Sequence, residues 1–278
     1  MVRGESIGPA VMRWAERDSS VRALVLIGSR VHAGAGSVTA ADEFSDWDFQ
    51  VVTSRPELFA TRAWTSGLGL GEPLAYVSRL GRLGAATKVS AVLRDGELDL
   101  VVIPSGGLRR AKWLLNLGLA TRLPPLRQAL GGMATVLRDG HRIVKGEREW
   151  GAFFRRVAAE FPAPRLGDAE VRALAEGFVC DYVSTGHKIE RGELLAAQRW
   201  LHLQLAEVNF QLLHELRLRR GEPTLPDVRR IERLPHDSRG IVVSAMPSAE
   251  GLRAALEKSA AALRELVAAL VPEWRWPL

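Results

Sequence analysis

The chain has 278 residues, 47% of them apolar and 25% charged, which is enough for one large or two ordinary globular domains with ample core. No uninterrupted apolar run approaches the ~20 residues of a membrane span, the N-terminal segment lacks the apolar centre of a secretory leader, and the single cysteine, Cys180, excludes an internal disulfide; together these predict a protein of the reducing cytoplasm. The net charge of +6 admits an anionic small molecule or a nucleic acid as partner, but arginine far outnumbers lysine and sits beside acidic residues in "GEREW" and "VRRIERL", a pattern of solvated surface.

Taken in chain order, residues 8–18 carry Val11, Met12 and Trp14 at helical spacing. "RALVLIG" is a short apolar run closed by glycine and reads as a buried strand, and "DFQVVT" (48–53) reads as a second. "RPELFATRAW" has proline near its start, which suits the first turn of a helix. "KVSAVLRDGELDLVVIP" is read as a hairpin turning at Asp95-Gly96 and ended by Pro104. "AKWLLNLGLATRL" and "LRQALGGMATVLRDG" then give a helix and a connector. Residues 162–221 are dominated by helical periodicity, with Asp168 as expected N-cap. "SAEGLRAALEKSAAALRELVAALVPEW" forms a last amphipathic helix stopped near Pro272.

The predicted fold class is α+β. An N-terminal domain, residues 1–130, has a mixed β-sheet flanked by helices, and residues 131–278 form a C-terminal helical bundle. The boundary falls somewhere in 105–165, where Pro124-Pro125 and "FPAPRLG" are both candidate breaks.

The chemistry concentrates in three acidic residues. Side chains two apart on a strand point to the same face, so Asp46 and Asp48 project together while Trp47 and Phe49 turn inward. Neighbouring carboxylates repel unless a positive charge lies between them, and a divalent cation such as magnesium, which prefers oxygen ligands, meets that need. Asp99 lies between Leu98 and Leu100 and faces opposite to both. If its strand pairs beside 48–53, the three carboxylates form one cluster able to hold two metals. Gly28-Ser29 ends the first strand and can offer backbone N–H groups and a hydroxyl to phosphate oxygens. Arg30 adds a fixed charge suited to phosphate.

"GSR" after a strand, then "DEFSDWDF", then "LDLVVIP" resembles the nucleotidyltransferase superfamily with the DNA polymerase beta fold, and within it the aminoglycoside (streptomycin-type) adenylyltransferases. The likeness covers residues 20–104 and, more loosely, 170–215, where "YVSTGHKIERGELLAAQRWLH" is similar to that group's helical segment. It implies that Asp46, Asp48 and Asp99 are the catalytic and metal-binding residues, and that Gly28 and Ser29 match the phosphate-contacting turn. The implied reaction is Mg2+-dependent transfer of AMP from ATP, or of another nucleoside monophosphate, to a hydroxyl of a small-molecule acceptor, with Arg30 and Lys188 as cations for the departing pyrophosphate. The chain departs from the pattern in a longer connection before Asp46, carrying "HAGAGSVTAA", and in Thr185, where the family often has lysine; His187, Lys188 and Arg191 lie close by.

Glu176, Asp181 and Glu193, on predicted helices of the second domain, are each candidates for a general base or for contact with a cationic acceptor. An aminoglycoside is the acceptor that the resemblance implies, although a basic chain offers few carboxylates for a polycation. Two other functions stay open: modification of RNA or protein in the manner of a toxin–antitoxin component, and a nucleotide-binding relative without catalysis. Nucleic acid is the weaker partner reading, a membrane is not expected, and oligomeric state is unreadable. His32, His141, His202 and His214 lack ligand spacing for zinc. Trp47, Trp113 and Trp200 read as core or interdomain contacts, and Cys180 as a small buried residue.

Overall fold

The computed structural model describes residues 5–31, 41–81, 86–138, 140–161, 165–225, 231 and 244–278; His32, Pro162–Pro164 and most of the connection before Asp46 lie outside them. The chain divides into two compact units, Met1–Pro164 and Arg165–Leu278.

The first unit is built on a mixed six-stranded sheet. Its strands are β1 (Val21–Ile27), β2 (Trp47–Thr53), β3 (Ala75–Leu80), β4 (Thr87–Leu93), β5 (Gly96–Pro104) and β6 (His141–Lys145), in the spatial order β3-β4-β5-β2-β1-β6. β2 and β5 run parallel, and every other neighbouring pair is antiparallel. Both faces are covered, which is why β1 and the end of β2 read as continuous apolar runs. Toward one face point Leu24, Leu26, Phe49, Val51, Leu98 and Leu100. They pack on Ile7, Val11 and Trp14 of helix α1 (Ile7–Arg17) and on two short 3-10 turns carrying Phe59 and Trp64. Toward the other face point Val25, Ile27, Val52 and Ile103. They meet α2 (Ser105–Asn116), α3 (Pro124–Arg138) and α4 (Glu147–Glu160) through Leu108, Leu130, Met133, Trp150 and Phe154. Each fully buried Leu, Val or Phe contributes roughly 1.5–3 kcal/mol relative to exposure, so the sheet is clamped from both sides.

Several expectations change. The compact division falls at Pro164/Arg165 rather than 130/131, because β6 hydrogen-bonds to β1 and α3 and α4 bury their apolar faces on the sheet. β3 and β6 were not expected from the pattern; β3 is largely exposed and both lie at the sheet edges. The segment after Pro56 forms two 3-10 turns instead of one helix. In the hairpin Leu93 pairs with Gly96, so Arg94 and Asp95 are the two turn residues. Trp113 is an exposed residue of α2 rather than a core contact.

The second unit comprises α5 (Asp168–Glu190), α6 (Leu194–Trp200), a single π turn (Leu201–Leu205), α7 (Ala206–Arg220) and α8 (Ala249–Leu270). Phe178, Leu201, Leu212, Leu256, Leu263 and Val267 lie in its core. The N-cap of α5 is Gly167, not Asp168, and the Gly167 N–H donates to Glu170 at 2.7 Å. Ser248 caps α8 by accepting from the Gly251 N–H. Cys180 is exposed rather than buried, since it lies on the side of α5 away from Phe178 and Ala175. Among the described residues no helix is long and apolar enough to cross a membrane.

Candidate active site

The three carboxylates meet because of strand register. β2 and β5 pair in parallel with Asp48 directly opposite Asp99, and Phe49 opposite Leu100. Period-two alternation then sends Phe49, Leu98 and Leu100, all fully buried, into one core and the aspartates to the other face. Asp46, two residues before Asp48, shares that face. Each of the three offers an oxygen within 4.8 Å of the others, and all three are half-buried. At that spacing each ionised pair repels by about 3 kcal/mol at an effective dielectric near 20, less where solvent screens it. The arrangement therefore favours a cation, and the oxygen-only donor set fits a hard divalent ion.

Lys88 offsets part of this charge. It lies on β4 opposite Val101, on the same face as Asp99, and its Nζ is 2.6 Å from Asp99 Oδ2. The sequence reading missed it, although the short Arg94-Asp95 turn fixes the hairpin register that brings it there.

Gly28 serves the cluster in a specific way. Its φ is +74°, and a Cβ there would lie 2.6 Å from Asp48 Oδ2. Any side chain would therefore be strained in the left-handed region and would collide with a site carboxylate. Ser29 is buried and opens a 3-10 turn, Ser29–Val31.

Arg30 braces the segment that carries Asp46. Its Nε–H donates to the Asp46 carbonyl at 2.9 Å and its Nη2–H to the Ser45 carbonyl at 2.5 Å. The guanidinium lies 4.6 Å from the centre of the Trp47 ring. Trp47 is stacked in turn on Phe49, with ring centres 5.9 Å apart, and meets α1 at Gly8, where a Cβ would fall 2.2 Å from the indole. Ahead of Asp46, Asp42 closes a small turn: its carboxylate accepts from the Phe44 N–H and the Ser45 hydroxyl, and its own N–H donates to Ser45 Oγ.

The remaining expected residues belong to the second unit. Lys188, on α5, lies 3.8 Å from Glu193 and 4.5 Å from the Trp200 ring centre. Glu176 accepts from Trp274 Nε1 at 2.7 Å. Asp181 is half-buried, burial pushes its pKa up, and it has no ion-pair partner among the described residues.

These features define an α+β chain whose mixed sheet presents three convergent aspartates behind a glycine-serine turn. No protein-family model matches the chain, and no curated protein matches it. Among solved structures it is similar to an aminoglycoside 6-adenyltransferase from Bacillus subtilis, at 14% identity and a TM-score of 0.41 over 99% of this chain and 94% of that one. It is also similar to a nucleotidyltransferase-like protein from Exiguobacterium sibiricum 255-15, at 12% identity and a TM-score of 0.34 over 95% of this chain and 76% of that one. Both likenesses are loose, whereas the aspartate cluster is a property of this chain's own strand register.

Proposed function

We propose that the chain is a metal-dependent nucleotidyltransferase that moves a nucleoside monophosphate, AMP from ATP in the first instance, onto a hydroxyl of a small molecule. The observation that supports this most is the meeting of Asp46, Asp48 and Asp99 within 4.8 Å on two register-locked parallel strands. These three residues would hold Mg2+. When bound, the metal would neutralise triphosphate charge and make the acceptor hydroxyl easier to deprotonate.

The chain's own residues then position and neutralise. Gly28 leaves room for the Asp48 carboxylate, and the Ser29 hydroxyl and nearby backbone N–H groups meet phosphate oxygens. Arg30 keeps Asp46 at its station through the two carbonyls it binds, and its remaining N–H groups are the ones available to phosphate. Lys88 holds the Asp99 carboxylate toward the cluster. Burial raises the pKa of half-buried Asp181, so it is the first second-unit carboxylate to substitute when a proton acceptor is sought. An aminoglycoside is the first acceptor class to test.

Pyrophosphate release from ATP and Mg2+ in the presence of an aminoglycoside panel tests the reading. Acceptor-dependent release that disappears in Asp99→Asn supports it. ATP binding that is indifferent both to Mg2+ and to Asp48→Asn overturns it.

A further inference from the structure

The sheet face that carries the aspartates holds a second feature farther along the same strands. Between β5, α2 and α3 of the first unit lies a cavity of about 220 Å³. Its walls include Val101, Ile103, Leu108, Ala111, Leu130 and Met133, and no charged residue lines it among the described residues. Among the described residues Gln50 is the one side-chain amide in the wall. It lies two residues beyond Asp48, is 3% exposed, and its Oε1 accepts no hydrogen bond from them.

A buried acceptor left without a donor is unfavourable, and native structures keep few of them. A single water is a poor remedy on the cavity side, since a buried water needs two to four polar partners and the other described wall residues are apolar. A charged ligand would find no counter-charge among the described wall residues. An apolar cavity of about 150 Å³ takes up benzene, so this one has room for a substituted ring.

We propose that this cavity is a binding site for an uncharged, ring-sized, largely apolar compound bearing one hydrogen-bond donor, which the Gln50 carbonyl oxygen accepts. None of the three aspartates lines the cavity, and the proposal stands whether or not the chain transfers nucleotides.

The test uses the full chain labelled at its methionine methyl groups, with phenol, anisole and toluene as probes. Of the four methionines, Met133 lines the cavity and Met12 packs on the opposite sheet face, so Met12 is an internal control. Phenol is expected to shift the Met133 resonance saturably, with affinity about tenfold above that of anisole and toluene, while Met12 stays still. Gln50→Leu is expected to remove the preference for phenol and keep toluene binding. Gly107→Leu is expected to abolish binding of all three probes. Gly107 lines the cavity, a Cβ there meets nothing within 4 Å, and leucine is the better helix former, so this variant keeps the fold. The proposal is overturned if Met133 shows no saturable shift with phenol, if phenol and toluene bind alike, or if Gly107→Leu binds as the parent does.

Discussion

Two carboxylate environments, one in each unit, are built on opposite plans. In the second unit Glu215 on α7 is almost fully buried and surrounded by donors. Arg165 reaches it with Nε and Nη2, Arg219 with Nε at 3.0 Å, and the Leu166 N–H at 3.0 Å. Burial alone would raise its pKa, yet the hydrogen bonds from Arg165, the Leu166 N–H and Arg219 outweigh that and hold it below the usual value. In the first unit three aspartates crowd together, each half-buried, and Lys88 reaches Asp99. A carboxylate that serves architecture is saturated with donors. The aspartate cluster gathers carboxylates against one another instead, which is the arrangement that the proposed metal-dependent function would use.

That contrast can be broken at either end. The largest effect is expected from Asp48→Asn or Asp99→Asn. Each should lower the proposed nucleotidyl transfer by at least about a thousandfold, while thermal unfolding without metal changes little, because relief of carboxylate repulsion is offset by loss of contacts such as the part-exposed Lys88–Asp99 pair. Pyrophosphate release and a melting curve check both halves. Glu215→Gln should do the reverse, costing about 2–3 kcal/mol of stability by leaving two arginines without their carboxylate, read as a lower midpoint in denaturant. Gly28→Ala should weaken metal-dependent activity about a hundredfold, since its methyl group displaces Asp48. Arg30→Lys should reduce activity about tenfold, because an ammonium cannot bridge the Ser45 and Asp46 carbonyls with the same planar fork.

The smallest expected effect separates the two environments by pH. Glu215 is held below its unfolded value of 4.5. Its contribution to stability is therefore complete above pH 4.5 and is lost as pH falls through the lower folded value. Acid titration of the melting temperature should show a loss on that side, and Glu215→Gln should lack this component.

Much of the aspartate site was legible in the sequence because alternation on a strand is rigid. Once "DFQVV" and "LDLVVI" are strands, Asp46 and Asp48 share a face and Asp99 opposes its leucines. Which strand lies beside which is a long-range fact, and the parallel β2–β5 pairing came only from the structure. Lys88 was hidden for the same reason, since its partner lies across a hairpin whose turn had to be fixed first. The unit boundary was misplaced because α3 and α4 have the same helical periodicity as bundle helices; periodicity reports an apolar stripe but not the core that receives it. β3 escaped because most of its residues are exposed, which removes the pattern on which recognition of a strand depends. The role of Arg30 was only half visible: its charge could be read, but the carbonyls it binds could not.

The pairing of Asp48 with Asp99 also sets where this centre can vary. Those two residues are riveted by a backbone ladder, so their spacing is inherited from the sheet and resists local change. Asp46 stands just ahead of that ladder and is held through Arg30 and the Asp42 turn. Lengthening or shortening the connection after Val31 would thus reach the cluster through Asp46 alone, leaving Asp48 and Asp99 as a fixed gauge against which its displacement could be read.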